Sequence, residues 1–223
     1  MADIKNLSKK NFKYQINPLL QLPLGDEAPT EINMLVEIPK GSINKYEYNT
    51  ATGLLKLDRV LFEQLPYPIE YGAIPQTWDE DGDPLDIVCL ISYPTFPGCL
   101  ISAKPIGVMK MNDSGEVDDK ILAVPVDDIR FKHIRDISDL QKHTLDEIQF
   151  FFENYKNLQF KYKAQDDKKV IIERWGDKNE AYEIIEKCSK EFKKKFAKEI
   201  CNCDHCDDCK KEGECCGNCD CLK

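Results

Sequence analysis

Short apolar runs with the spacing of β-strands recur through the first two thirds of the chain. Asn33–Pro39 alternates between two faces and ends in proline, whereas Ile87–Ile91 and Ile121–Pro125 are continuous apolar runs. Residues 99–110 form a further region of this kind. Such runs between turn-forming residues predict strands, and the continuous ones predict buried strands. The central part of the chain is therefore expected to be mainly β.

A β-hairpin is predicted where two alternating polar-rich runs, 44–49 and 54–60, flank a glycine-containing turn. Lys45 and Glu47 share one face of its first strand, and Arg59 lies on the second. The plain interpretation of these three residues is a polar face with cross-strand charge pairs. Without further context the sequence favours that interpretation over a functional one.

Helical spacing begins late in the chain. Thr144–Glu147 has the form of a capping box and opens an apolar stripe that ends at Tyr155. After a predicted strand at Val170–Trp175, Asp177 and Glu180 are expected to cap a second helix. Many short strands followed by two helices predict a mainly β protein of the α+β class, a closed or partly closed β-barrel with the helices packed outside.

Composition places the chain among ordinary soluble domains. It has 223 residues, 42% of them hydrophobic and 32% charged, which is enough for one filled domain with an appendage. The net charge of −9 and the lack of a basic run argue against nucleic acid as a partner. The polar first 13 residues predict no signal peptide, and no stretch is long enough for a membrane span. We therefore expect a cytoplasmic setting.

The densest group of candidate functional residues is an acidic loop. Asp81, Asp83 and Asp86 fall within six residues, just ahead of a predicted buried strand. Gly82 and Pro84 exclude a helix interior, and Pro84 also occupies the position where an EF-hand needs glycine. Clustered carboxylates repel one another unless cations hold them, and Mg²⁺ prefers such oxygen ligands. The alternative is an Asp-Gly turn carrying ordinary surface acids.

Acids and bases from other segments extend this pattern. Asp113 and Asp118 flank a strong turn signal ahead of a second apolar strand, where the plain interpretation is a hairpin tip. Carboxylates that bind Mg²⁺, combined with cations that bind phosphate oxygens, are what metal-assisted phosphate hydrolysis requires. The candidate acids are Glu37, Glu47, Asp81, Asp83, Asp86, Asp113 and Asp118, the candidate cations Lys45, Arg59, Lys120 and Lys156, and the candidate hydroxyls Tyr71 and Tyr155.

The acidic loop resembles the signature of the soluble family I inorganic pyrophosphatases of bacterial type. The resemblance extends from about residue 15 to about residue 200. The similar segments, in order, are Val36–Pro39, Lys45–Glu47, Asp58–Arg59, Tyr67–Pro68, Tyr71–Gly72, Asp81–Ile87, Pro105–Val108, Asp118–Lys120, Phe152–Glu153 and Tyr155–Lys156. This resemblance implies a five-stranded closed β-barrel of the OB type with flanking helices. It also implies hydrolysis of diphosphate to two orthophosphates with three or four Mg²⁺ ions, and assembly into a homohexamer.

Residue roles also follow from the resemblance, position by position. Asp83 is expected to be the general base or to orient the attacking water, and Asp86 to bridge two metals. Glu47 and Tyr67 are expected behind the site or at its edge. The metal ligands would be Asp81, Asp86, Asp113, Asp118 and, through water, Glu37. The phosphate-binding residues would be Lys45, Arg59, Tyr71, Lys120, Tyr155 and Lys156.

A cysteine-rich tail follows the region of resemblance and divides the chain into a body, 1–200, and a segment, 201–223. Eight of the 11 cysteines lie in it, with His205 among them. A disulfide framework would need an oxidising compartment, which nothing here supports, so thiolate binding of Zn²⁺ is preferred over Cu(I), an iron–sulfur cluster or unbound thiols. The candidate ligands are Cys201, Cys203, Cys206, Cys209, Cys215, Cys216, Cys219 and Cys221.

Two functions from different classes therefore compete. The first is a Mg²⁺-dependent diphosphatase. The second is a metal-handling or redox-sensing protein in which the body only carries the cysteine-rich tail. The second function predicts either no release of phosphate from diphosphate or a release that does not depend on Asp81 and Asp86.

We predict that the tail binds metal in the purified chain. Native mass spectrometry should show species heavier than the polypeptide by one or two Zn²⁺ ions, because paired cysteines chelate this ion strongly at neutral pH. A chelator should return them to the polypeptide mass. A single mass that the chelator does not change would remove the metal hypothesis.

Overall fold

The computed structural model of the chain describes residues 17–165 and 168–200. It has the α+β, mainly β composition that the sequence predicts. The strands are β1 (Ile32–Ile38), β2 (Asn44–Tyr48), β3 (Leu55–Val60), β4 (Glu70–Ala73), β5 (Asp86–Cys89), β6 (Leu100–Asp113), β7 (Glu116–Val117), β8 (Lys120–Pro125) and β9 (Val170–Asp177). The helices are α1 (Pro18–Gln21), α2 (Lys142–Asn154), α3 (Asn157–Tyr162) and α4 (Lys178–Ile200). Two 3₁₀ turns, Ile129–Phe131 and Ile137–Asp139, precede α2.

Strand β6 joins the parts of the main sheet. Along its 14 residues it pairs antiparallel with β1, β8, β7 and β9. Strand β1 also pairs with β4, β4 with β5, and β5 with β8 in parallel. Each of the five strands β1, β4, β5, β8 and β6 therefore has a partner on both sides within this set. The hairpin β2–β3 forms a separate two-stranded sheet, as the sequence predicts.

Gly72 allows strands β1 and β4 to approach each other closely. A Cβ atom at Gly72 would lie 2.1 Å from the carbonyl oxygen of Leu35 on β1, so only glycine fits without displacing the backbone. The same pairing sets Ile38 opposite Tyr71. It thereby brings Glu37, near the end of β1, beside the strand that carries Tyr71.

Two apolar clusters form the core on either side of the sheet. One packs Phe151 and Phe152 of α2, and Tyr155 directly after that helix, against Tyr67 and strands β5, β6 and β8. The other packs Ala181, Ile185 and Cys188 of α4 against β1, β5 and β8. Both late helices were predicted. None of the described helices is long and apolar enough to cross a membrane.

The predicted capping box at Thr144 is wrong. Helix α2 begins two residues earlier, at Lys142, and Gln141 makes no side-chain cap. Glu147, the acid of the predicted box, lies 3.5 Å from His143 Nε2, and Asp146 accepts a 2.7 Å hydrogen bond from the Lys142 ammonium, so both acids face residues of the preceding helical turn. By contrast, the Asp177 side chain accepts from the backbone N–H of Asn179 and of Glu180 and caps α4 as predicted.

Three short elements escape the sequence analysis. The two prolines of Leu65–Gly72 predict irregular backbone for that stretch, which is wrong for its last three residues, because strand β4 starts after the prolines, at Glu70. Helices α1 and α3 have four and six residues. They are too short to show an apolar periodicity, and their positions depend on tertiary packing.

The segment between β4 and β5 carries the acidic loop, and Thr77 closes its base. The Thr77 hydroxyl, 1% exposed, donates to the carbonyl oxygen of Ile74 at 2.6 Å and accepts from the backbone N–H of Leu85 at 3.0 Å. These two bonds tie together the entry and the exit of the loop. The loop is therefore anchored in the core although its tip is exposed.

We expect Thr77→Val to lower the free energy of unfolding by about 1–3 kcal/mol, because it leaves the buried N–H of Leu85 without an acceptor. Urea denaturation of the chelator-treated chain measures this change. The matched control is Thr30→Val, whose hydroxyl bonds the carbonyl oxygen of Glu27 at an exposed site where water replaces it. Equal stability changes in the two variants would contradict the anchoring role of Thr77.

Candidate active site

A pocket of about 430 Å³ opens where β4 ends and β5 and β8 begin, beside the acidic loop. The hairpin β2–β3 and the junction of α2 with α3 complete its walls. Twelve of the fourteen site residues predicted in the body line it: Glu37, Lys45, Glu47, Tyr71, Asp81, Asp83, Asp86, Asp113, Asp118, Lys120, Tyr155 and Lys156. The fold therefore brings together side chains that lie up to 119 positions apart in sequence.

The centre of the pocket is organised by Lys120, which is 2% exposed. Its ammonium donates to Asp86 Oδ2 at 2.6 Å and to Asp118 Oδ1 at 2.7 Å. Tyr71 Oη donates to the same Asp86 oxygen at 2.5 Å. Burial alone would lower the pKa of Lys120, but the charges of Asp86 and Asp118 outweigh it and raise that pKa, so the side chain is a permanent cation.

Two further lysines pair with acids at the pocket wall. The Lys156 ammonium donates to Asp113 Oδ2, and the Lys45 ammonium donates to Glu47 Oε1. Burial raises the pKa of Asp113, but the hydrogen bond and the charge of Lys156 more than offset it and leave that pKa below its ordinary value. Lys156 stands directly after Tyr155, between α2 and α3, so the helix junction delivers both residues to the pocket.

Four acids of the pocket have no ion pair with another described residue: Glu37, Asp81, Asp83 and Glu116. Burial, reinforced by Asp86 and Glu47, raises the pKa of Glu37 to about 8 against an ordinary value of 4.5. Burial and the neighbouring aspartates raise the pKa of Asp81 to about 6, and they raise the pKa of Asp83 as well. Each of these carboxylates would be stabilised in its charged form by an added cation.

Arg59 and Tyr67 lie outside the pocket lining. Arg59 faces Lys45 across the hairpin and pairs with Asp58, and its buried Nε has no hydrogen-bond partner among the described residues. Tyr67 is 1% exposed and packs beneath the site against Tyr71 and Tyr155. Tyr67 therefore lies behind the pocket lining, and its role in the site stays a prediction. The phosphate-binding role of Arg59 stays a prediction.

The sequence analysis omitted two charged residues that line the pocket, Lys56 and Glu116. Lys56 is the cross-strand partner of Glu47, so pairing the predicted hairpin in register would have found it. Asp119, which lies between Asp118 and Lys120 in the sequence, does not line the pocket. Asp119 is 7% exposed, and its carboxylate accepts a hydrogen bond from the ammonium of Lys110 on β6.

The donor set of the pocket fits a hard divalent cation. Eight carboxylates and four lysine ammonium groups line it, so negative charge is in excess even with every lysine paired. Oxygen donors of this kind are the ligands of Mg²⁺. Within residues 17–165 and 168–200, however, no three side chains of His, Cys, Asp or Glu stand close enough to hold one metal ion. The Lys120 ammonium lies between Asp86 and Asp118, and the Lys156 ammonium pairs with Asp113.

The candidate zinc ligands Cys201 to Cys221 lie outside the described residues. Of the three remaining cysteines, Cys89 and Cys188 are buried and Cys99 is partly exposed. The tail therefore remains a prediction from the sequence alone.

Fold and pocket together define a mainly β protein with a polar pocket that gathers carboxylates and lysine ammonium groups from several strands. Comparison with known sequences narrows this class. The sequence model of the family described as inorganic pyrophosphatase matches residues 34–193, which include every body residue singled out above. The chain belongs to the inorganic pyrophosphatase family and is an enzyme of that class, as its resemblance predicts.

Individual relatives agree with this assignment. The chain is 44% identical over 182 residues to an inorganic pyrophosphatase of Haloferax volcanii, an alignment that covers 82% of this chain and 99% of the relative. It is 47% identical over 165 residues to that of Halalkalibacterium halodurans, covering 74% and 97%. The crystal structure of inorganic pyrophosphatase from Thermus thermophilus superimposes with a TM-score of 0.75 at 42% identity, covering 80% of this chain and 99% of that one.

The raised pKa of Glu37 yields a test of the pocket's electrostatics. Between pH 4.5 and about 8 the folded chain holds a proton on Glu37 that the unfolded chain has lost, so this residue makes the free energy of unfolding fall as pH rises. We expect Glu37→Gln to reduce the fall between pH 5 and pH 8.5 by roughly 2 kcal/mol, measured by urea denaturation in chelator. Stability profiles of variant and wild type that run parallel across this range would contradict the assignment.

Proposed function

We propose that this chain hydrolyses inorganic diphosphate to two orthophosphates in a Mg²⁺-dependent reaction. The observation that carries the proposal is the convergence of twelve predicted side chains on one pocket within the region matched by the family. Diphosphate is a compact polyanion, and this pocket offers both cationic side chains and an excess of carboxylates for metal. Neither set alone would suit that substrate.

The metal ligands in this proposal are five of the eight acids that line the pocket. They are Asp81, Asp86, Asp113, Asp118 and, through water, Glu37. Bound Mg²⁺, three or four ions per site, supplies positive charge that lowers the pKa of a water molecule and neutralises phosphate oxygens. The unpaired acids Glu37 and Asp81, with their raised pKa values, gain most from such charge.

Phosphate binding falls to Lys45, Arg59, Tyr71, Lys120, Tyr155 and Lys156. An ammonium has three N–H donors, and Lys120 uses two of them on Asp86 and Asp118, which leaves one for a substrate oxygen. The unpartnered Nε–H of Arg59 is a donor of the kind that an anion would satisfy. These donors would stabilise the negative charge that develops on the leaving phosphate.

Asp83 is the proposed general base. It lines the pocket at the exposed side of the acidic loop and has no ion pair with another described residue. Burial raises the pKa of its carboxyl, which makes the carboxylate a better proton acceptor than an ordinary aspartate. It would remove a proton from the attacking water or hold that water in position.

Several finer statements are part of the same proposal. The five strands paired on both sides, β1, β4, β5, β8 and β6, support a closed barrel of the OB type. The family match within residues 34–193 supports a single catalytic body, for which we propose residues 1–200. The homohexamer, the cytoplasmic location, Zn²⁺ in the tail and the lack of nucleic-acid or membrane partners stay predictions. The rival function, metal handling or redox sensing, has no support among the described residues.

Phosphate release from diphosphate in the presence of Mg²⁺ tests the proposal. We expect turnover by the full chain and a loss of about 10²–10⁴-fold in kcat for Asp83→Asn, because the amide cannot accept the proton. Binding of Mg²⁺ to this variant, measured by calorimetry, should stay close to that of the wild type.

The matched control is Asp127→Asn, an equivalent change at an exposed acid outside the pocket, which should leave turnover unchanged. Absence of turnover in the wild type would overturn the proposed function. Equal loss of turnover and Mg²⁺ binding in Asp83→Asn would show that Asp83 is a metal ligand rather than the base.

A further inference from the structure

The acidic loop leans on helix α4 along its outer side. The backbone N–H of Trp78, just ahead of the loop, donates to the carbonyl oxygen of Cys188 at 2.9 Å. The Cys188 thiol lies 3.6 Å from Asp79 Oδ1, and the Lys187 ammonium bonds Glu80 Oε1 at 2.6 Å. Helix α4 therefore contacts three successive residues, 78–80, at the start of the segment that leads to Asp81.

The last turns of α4 add a second set of contacts, all to Trp78. The Lys195 ammonium stands 3.6 Å from the centre of the indole ring, a cation–π distance. The ring of Phe196 meets the indole edge-on with centroids 5.0 Å apart, and it also packs against Phe192. The Trp78 side chain is thereby held between a cation and an aromatic ring.

These contacts come from a part of α4 that the proposed function does not use. The family match ends at residue 193, so Lys195 and Phe196 follow it. Neither residue lines the pocket.

Hydrogen bonds within the acidic loop join its start to its end, so a contact that orients the start also affects the position of the end. The Asp79 backbone N–H donates to the carbonyl oxygen of Asp83 at 2.8 Å, and the Asp83 N–H donates to Asp81 Oδ1 at 3.0 Å. Thr77 anchors the base, as described above. The orientation of the loop relative to the core then depends on Trp78 and on the residues beside it.

We propose that Lys195 and Phe196 form a clasp on Trp78 that positions the acidic loop, and so the carboxylates of Asp81 and Asp83, for metal and substrate. Lys195 and Phe196 are positioning residues, because they act through Trp78 and touch neither the pocket nor its carboxylates. The consequence for activity rests on the proposed function, whereas the ordering of the loop does not. Loosening the clasp would let the loop sample other orientations without unfolding the core.

Two measurements on the full chain test the clasp with Lys195→Gln and Phe196→Ala. Hydrogen exchange followed by mass spectrometry, in chelator, should show about three- to tenfold faster exchange in peptides covering 78–86 for both variants, the change expected from losing one aromatic or cation–π contact. Peptides from β6 should not change. In the phosphate-release assay the Mg²⁺ concentration for half-maximal activity should rise by a similar factor, while kcat changes less than about twofold.

Two further variants serve as controls. Lys194→Gln removes the neighbouring ammonium, which bonds Glu191 rather than Trp78, and should behave as the wild type in both measurements. Lys195→Arg keeps a cation over the indole and should restore slow exchange. Lys195 is exposed, so its variants should fold even if Phe196→Ala does not.

The outcomes separate the clasp from the proposed function. Wild-type exchange rates in Lys195→Gln would overturn the clasp, even in an active enzyme. Faster exchange with an unchanged Mg²⁺ requirement would overturn its positioning role. A wild-type chain that releases no phosphate would overturn the proposed function, and the exchange experiment would still decide whether the clasp orders the loop.

Discussion

The pocket depends on one buried cation between two carboxylates. Lys120 comes from the first position of β8, Asp86 from the first position of β5, and the two strands run in parallel with these residues in register. An ammonium buried this deeply is stable only with full charge compensation, which Asp86 and Asp118 provide. The pairing therefore fixes the relative position of the acidic loop, which ends at Asp86, and of the turn that carries Asp118.

Negative charge is concentrated around this pair beyond what the lysines neutralise. The fold tolerates the excess by distributing the acids among several backbone segments and by holding some of them partly protonated, as the raised pKa of Glu37 indicates. Binding of cations would relieve this repulsion. Repulsion among the pocket carboxylates therefore accounts for the proposed affinity of the pocket for metal ions.

The sequence predicted which side chains meet in the pocket better than it predicted where the helices and short strands begin. Asp81–Asp86 was recognisable because a glycine, a proline and three acids leave few structural interpretations, and the resemblance then carried Tyr155 and Lys156 to the site. Lys56 was missed because its role appears only when β3 is paired with β2. The start of α2 was misplaced by two residues because a local capping pattern marks a helix boundary only approximately. The clasp on Trp78 joins residues more than a hundred positions apart, which no local pattern reveals.

Helix α4 also determines where anything appended to this enzyme is attached. The helix runs to Ile200, four residues beyond Phe196, and the chain continues directly into Cys201. At about 1.5 Å of rise per residue, that fusion point lies only about 6 Å along the helix axis from the ring that touches Trp78. The attachment point of any terminal extension is consequently close to Trp78 and to the start of the acidic loop, because the same helix end carries both.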